Sequence, residues 1–313
     1  MINDIRYALR TLRGNPGFAL VAILSLALGI GANTAIFSLA DAMLLRPLPV
    51  PRPSQVLMVR SQLRGDRPID MSYPDYVDYR AKNRSFGDLA AFHIASLGFA
   101  KSKYVVPQMK AGFLASGNCF HVLDVEPQIG RGFRADEDQV PGRDAVVVIS
   151  NDLWRTEFGA SPSAVGKTVF LNGIAFTIVG VTPESFTGVD QYYRPSFYIP
   201  MAMGPRLVGA HFLDNRGERG FFVKGRLKPG VSRASANTEA GVIAKWLERA
   251  YPDTNRNWSA VVRTEFQVRV ERSPFDALLA GMLLGLVGVV CATWKFRSAI
   301  SLRAAGSTAL PLG

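Results

Sequence analysis

Phe18 to Leu45 reads FALVAILSLALGIGANTAIFSLADAMLL, and its first 23 residues, Phe18 to Ala40, carry no charge before Asp41. About 20 apolar residues suffice to cross a bilayer as a helix. In a soluble protein a helix that is apolar all round must be buried all round. The stretch therefore reads as a transmembrane helix over residues 18–45. Ala27, Gly31 and Ala35 recur every fourth residue within it. That spacing makes a small-residue face on which a second helix can pack closely.

Upstream, Ile2, Ile5, Leu9 and Leu12 repeat at helical spacing, and Arg6, Arg10 and Arg13 form a basic stripe. Residues 1–17 thus read as an amphipathic helix lying on lipid headgroups, on the cytoplasmic side by the positive-inside rule. A cleavable signal peptide is the main rival, and Ala40-Asp41-Ala42 resembles its cleavage site. Its apolar core would run only about 7–15 residues, and it has no use for a small-residue face. A retained helix is the better reading.

Downstream, Pro47, Pro49, Pro51 and Pro53 alternate with other residues, which predicts a stiff extended spacer lifting the next domain off the membrane. Strands are expected over Gln55–Ser61, Tyr104–Lys110, Ala145–Ile149, Thr168–Leu171, Ala175–Val181 and Gly220–Leu227, with a last strand or pair within Trp258–Val270. Asn172-Gly173 is a strong hairpin turn. Helices are expected after Ser72, to about Asn83, after Ser150, ending at Gly159, and after Ser232. In the last, Val242, Ile243, Trp246, Leu247 and Ala250 line one face. Helices and strands mix without strict βαβ alternation, so the class is α+β.

Ala277 to Trp294 is a second uncharged run of 18 residues. Ala277, Gly281 and Gly285 give it a small-residue face, with Gly288 and Ala292 adding another pair, and Lys295, Arg297 and Arg303 place its far end in the cytoplasm. The expected architecture is a membrane protein with two transmembrane α-helices flanking an α+β extracytoplasmic domain. Its parts are a surface helix (1–17), a first span (18–45), an extracytoplasmic domain (46–274), a second span (275–294) and a short basic cytoplasmic tail (295–313).

The chain has 313 residues, is 48% hydrophobic and carries a net charge of +11, with mean hydropathy +0.12. The basic residues are scattered, with no cluster on one element, so nucleic acid is not an expected partner. Cys119 and Cys291 sit in unlike contexts and suggest no disulfide framework.

Chemistry-bearing motifs are weak. Gly166-Lys167-Thr168 resembles the end of a phosphate loop, but Ser161 stands where the pattern needs glycine, and a strand follows where a helix should. His93, His121 and His211 are isolated. Cys119 and His121 lack a second ligand pair, and Asp136, Glu137 and Asp138 read as a solvated loop before a cation site. No Gly-x-Ser-x-Gly elbow occurs. No catalytic, cofactor-binding or metal-binding residue is assigned, no cofactor is expected, and the chain is not expected to be an enzyme.

Asp4–Arg10 (DIRYALR), Asn15–Phe18 (NPGF), Gly29–Phe37 (GIGANTAIF) and Leu45–Pro49 (LRPLP) together resemble the first helix and its exit in the permease subunits of the MacB and FtsX-like superfamily of ABC transporters. The middle adds Gly130–Phe133 (GRGF), Val148–Ser150 with Leu153-Trp154, Phe158-Gly159, and Gly166-Lys167 with Leu171–Gly173. Val179–Pro183 (VGVTP) and Arg226–Val231 (RLKPGV) complete the set. The similarity runs from Asp4 to about Cys291 and is closest to the branch lacking a fused ATPase.

The resemblance implies a periplasmic core domain with a porter-like part built from both ends of the segment and a strand-rich insertion between them. It also implies a permease dimer in the inner membrane, a separate cytoplasmic ATPase as partner, and in some members a periplasmic adaptor. ATP-driven closure would move the outer domain through the helices, as efflux or mechanotransmission. The sequence departs from the family after Cys291, where a basic loop and two further helices are expected, so a truncation or frameshift is suspected there. A two-helix membrane-anchored binding or sensor protein, or a non-functional truncated permease, is the alternative reading.

Overall fold

The structure is a computed structural model, and it describes residues 16–40, 46–190, 193–273 and 281. The chain divides into two units, residues 1–46 with 272–313, and residues 47–271. In the first unit, helix α1 (Pro16–Ala40) runs 25 residues with no acidic first turn and no basic last turn. Leu20, Val21, Leu24, Leu28 and Ile30 are exposed on it. The side chains of many α1 residues lie outside the described set, and among the described residues no helix is long and apolar enough to cross a membrane. Residues 1–15 of the expected surface helix and nearly all of the second apolar run lie outside the described residues, while Pro16 and Gly17, expected to break that helix, open α1.

The second unit begins with β1 (Val56–Leu63), α2 (Tyr73–Lys82) and β2 (Phe86–Ala100). It closes with β9 (Phe222–Leu227), α6 (Arg233–Ala250), α7 (Pro252–Asn255), β10 (Trp258–Arg263) and α8 (Glu265–Arg272). The sheet order β10-β1-β9-β2 interleaves the two βαβ halves, and each neighbouring pair is antiparallel. This is the split βαβ arrangement. Between the halves come β3 (Gln108–Ala115), α3 (Cys119–Leu123), β4 (Ile129–Gly130), β5 (Val146–Ile149), α4 (Asn151–Phe158), β6 (Thr168–Leu171), β7 (Ile174–Val181), β8 (Phe197–Pro200) and α5 (Gly204–Leu207). These strands extend the same sheet in the order β3-β8-β5-β7-β4, with β6 pairing β2 and β7.

The long strand β2 joins the two parts. Phe86 to Phe92 pair with β9, Phe92 to Phe99 pair with β3, and Phe99 and Ala100 pair with β6. One face of the sheet packs on α2 and α6, burying Tyr76, Tyr79, Ala240, Ile243 and Leu247 against Leu57, Val59, Leu89 and Val223. The Tyr79 hydroxyl donates to the Ala240 carbonyl at 2.9 Å, tying the two helices. The other face packs on Leu48, Val50, α3 and Val268.

Several local expectations shift. In α6 the buried residues are Ala236, Ala240, Ile243, Ala244 and Leu247, while Val242 and Trp246 face water. Trp246 instead carries the Lys82 ammonium 3.7 Å from its ring centre. Trp258–Val270 is a strand followed by a helix, because Thr264 opens a capping box. The Thr264 amide donates to Gln267 Oε1, and the Gln267 amide donates to Thr264 Oγ1 at 3.3 Å, the reciprocal pattern that starts helices. Tyr104–Pro107 is an exposed turn and β3 starts at Gln108; Pro107 lacks the N–H that a ladder needs. The proline-rich segment is not a free spacer, since Leu48 and Val50 alternate with the prolines and are buried on the sheet. Burying such side chains is worth about 1.5–3 kcal/mol each.

Candidate functional site

The residues that precede β1 and follow β10 meet on the α3 face of the sheet. Side-chain alternation along β1 puts Arg60 on the face of Val56 and Met58, and along β9 it puts Lys224 on that of Phe222. These cations have partners on α8. Lys224, 2% exposed at its side chain, pairs with Glu265 at 2.7 Å. Arg60, 5% exposed, pairs with Glu271 at 2.9 Å. Arg263 of β10 holds Glu271 at 2.6 Å, and Arg269 lies 3.8 Å from Glu265 within the helix. Glu265 also stands in the first turn of α8, where a carboxylate favours the helix dipole. Burial of charge is costly unless the ions are paired and hydrogen-bonded, so α8 has one seat.

The leading segment is fixed to the same face. The Arg226 guanidinium donates to the carbonyls of Pro51 at 2.9 Å and Leu123 at 2.8 Å. One side chain thus bridges β9, residues 47–53 and α3.

A second charged knot lies on the α2 side. Ser72 caps α2 by accepting the Asp75 amide, which turns the Asp75 carboxylate inward, 1% exposed. It accepts from Arg216 at 2.6 Å, from Arg219 at 2.8 Å and from the Asn255 amide at 3.0 Å. Arg216 also pairs with Asp78 at 2.8 Å and stacks over Tyr251, while Arg219 stacks over Trp258. Elements far apart in sequence, α2, the 214–220 loop and α7, are held by one carboxylate, and Arg219 extends the knot to Trp258 of β10.

Beside this knot, a cleft of about 570 Å³ is lined by Tyr73, Val77, Asp78, Asp138, Leu213 and Arg216. A second, of about 410 Å³, lies across Asp138 against Arg80, Asn118, His121 and Phe133. Asp138 accepts from the Gly117 and Ala202 amides at 2.7 Å each. Burial pushes its carboxyl up to about 6, against the pull of those amides and of Arg80.

The three acidic neighbours do not converge. Asp136 faces solvent, and Glu137 forks onto Arg131 at 2.6 and 2.8 Å, while Asp138 is turned into the cleft wall. Among the described residues no group of His, Cys, Asp and Glu could hold a metal ion. His93 is packed between Phe212 and Phe221, with burial lowering its pKa. His121 and His211 are exposed and separate. The Cys119 thiol is buried and pushed well up by desolvation, which disfavours a thiolate nucleophile. Gly166 turns at φ +88° into β6, and its amide donates to the Ile178 carbonyl. Its role is a sheet turn. The charged seat of α8 is not legible in the sequence, although Thr264 with Gln267 announces the helix.

The family of MacB-like periplasmic core domains matches residues 19–241. The chain belongs to that family, and its described core is the α+β extracytoplasmic domain of a MacB/FtsX-like permease. A domain from a Porphyromonas gingivalis protein designated a permease superposes with TM-score 0.51 at 16% identity, over 69% of this chain and 91% of that one. The periplasmic region of MacB from Actinobacillus actinomycetemcomitans gives TM-score 0.49 at 12% identity, over 71% and 92%. The extracellular domain of the noncanonic ABC-type transporter YknZ from Gram-positive bacteria gives 0.48 at 15%, over 66% and 99%. No curated protein matches.

Proposed function

We propose that the chain is a permease subunit of an ABC-type efflux or mechanotransmission complex. In this reading residues 18–45 and 275–294 span the inner membrane and both termini are cytoplasmic. Residues 46–274 form the periplasmic domain. A separate cytoplasmic ATPase supplies the driving force, and a second permease pairs with this one. The observation that carries the reading is the common seat of residues 47–53 and α8 on one sheet face, through Arg226, Lys224 and Arg60. A displacement of either chain end would then act on the same sheet, and through β2 on the insertion.

The test is purification of the full chain from crosslinked membranes, with an impermeant thiol reagent applied to intact spheroplasts carrying Ser54→Cys. Recovery of an ABC ATPase together with labelling of Cys at position 54 is the expected result. Repeated recovery without an ATPase, or labelling only after lysis, would overturn the proposal.

A further inference from the structure

Strand β10 ends the sheet and pairs only with β1. One hydrogen bond shows which of its backbone groups face outward. The Val262 amide donates to Asn237 Oδ1 of α6 at 2.8 Å, so the Val262 backbone points away from β1. Backbone direction alternates along an antiparallel strand. The N–H and C=O groups of Trp258 and Ala260 therefore point the same way as those of Val262, and among the described residues no strand pairs with them. An open edge of this kind is a template for a further strand.

Helix α6 runs beside that edge. Asn237 meets Val262 at one end, and at the other Glu248 Oε1 accepts the Asn257 amide at 2.8 Å. Helix residues 237–248 span about 16 Å, and strand residues 257–262 span about 17 Å. The two elements thus lie side by side, in opposite directions and pinned at both ends. Between them, toward the Trp258 end, is a cleft of about 680 Å³ lined by Gly241, Val242, Lys245, Trp258 and Ser259.

Gly241 lies in the middle of α6, where glycine is the least favourable residue after proline. A Cβ on it would meet nothing within 4 Å, so packing within the described chain does not require glycine there. The missing side chain keeps the cleft open to the close approach of another backbone. Arg64 and Lys245 line the same cleft, are exposed and form no ion pair among the described residues. The Glu248 carboxylate already holds the Asn257 amide, so the charge left to a ligand is positive.

We infer that the groove between β10 and α6 binds an extended, carboxylate-bearing segment of a separate polypeptide as an added strand. Its main chain pairs with Trp258 and Ala260, it passes over Gly241, and its carboxylate faces Lys245 and Arg64. Strand addition draws affinity from main-chain hydrogen bonds and selectivity from side chains at alternate positions. Asn237, which already takes the Val262 amide, marks where the added strand stops. A second copy is a poorer occupant, since its sheet ends in β10 flanked by its own α6 and in the two-residue β4.

The test uses the full chain purified in detergent and a library of synthetic extended peptides, valine or threonine alternating with randomised residues. Binding is read by fluorescence anisotropy and by amide exchange at Ala260. The expected result is selection of peptides bearing Asp or Glu, with exchange at Ala260 slowed at least about tenfold when they bind. Gly241→Leu fills the cleft and should weaken binding at least about tenfold. Lys245→Glu should weaken it at least about fivefold and shift selection toward Lys or Arg. Position 241 has open space and Lys245 is exposed, so melting of both variants should match or exceed wild type. An empty library, binders indifferent to Gly241→Leu, binders without acidic preference, or binders that leave Ala260 exchange unchanged would each overturn the inference. A change of oligomeric state with Gly241→Leu would assign the groove to a second copy and overturn it too.

Discussion

Replacing Asp75 with asparagine keeps the shape of the side chain and removes its charge. Two guanidiniums then lose their common counter-ion, Arg216 at 2.6 Å and Arg219 at 2.8 Å. Their side chains are 16% and 4% exposed, so water cannot take over the lost role. Removing one member of a buried charged cluster costs about 3–5 kcal/mol. For a unit of this size each kcal/mol moves the melting temperature by about 2–4 °C, which gives a loss of about 6–20 °C. The assay is thermal unfolding of the detergent-solubilised full chain by tryptophan fluorescence, since Trp258 lies under Arg219 and reports on the knot. Asp124→Asn is the matched control. Its pair with Arg52 is exposed, at 50% and 63%, and Asp124 sits at φ 59°, a conformation asparagine tolerates. Surface pairs contribute about 0–1 kcal/mol. If Asp75→Asn melts within the range of Asp124→Asn, the knot does not hold the helical face together and the reasoning fails.

Lys224→Met should leave Glu265 with the longer contact to Arg269 and speed amide exchange in α8 by roughly tenfold or more, and adding Glu265→Gln should recover much of the protection; unchanged exchange in the single variant would count against the seat. Asp138 titrates at about 6 in the folded chain against an ordinary 3.8. The folded state thus holds the extra proton between these values, and wild type should lose about 2 kcal/mol relative to Asp138→Asn as pH rises from 4 to 6, with only a few tenths more lost above pH 6; melting curves across pH 4–7 that give a flat difference would refute this. The Tyr198 hydroxyl is buried with no hydrogen-bond partner among the described residues, so Tyr198→Phe should raise stability by about 1 kcal/mol, and a lowered melting temperature would show that the hydroxyl is satisfied.

What the sequence disclosed of the fold was what local chemistry announces. Ser72, Ser150 and Ser232 cap their helices, and Asn172-Gly173 turns with φ 49° and 79°. The family-like Gly130 and Gly180 have a steric cause: a Cβ on Gly130 would strike the Val179 carbonyl, and one on Gly180 the Arg131 carbonyl. These glycines let β4 lie against β7. What stayed illegible depends on partners distant in the chain. Strand β2 is rich in alanine and glycine and buried along most of both faces, so it shows no alternation. Arg60, Lys224 and Asp75 look like ordinary surface charges until residues as many as 211 positions away close on them. The apolar run after Lys103 looks like a core strand, and only the fold shows that it faces water.

Strand β2 also fixes the kinematics of the domain. Because one strand, regular in its pairing from Leu89 to Phe99, belongs to both the split βαβ part and the insertion, the two parts share backbone rather than a flexible joint along β2. In the proposed function, a torque delivered at the Phe86 end would turn the sheet as an arm. A rotation of about 10° at one end then sweeps the other through about 8 Å, given an arm of about 45 Å. In the proposed function, a small tilt near the base of such an arm would become a stroke at its far end comparable to the width of a helix.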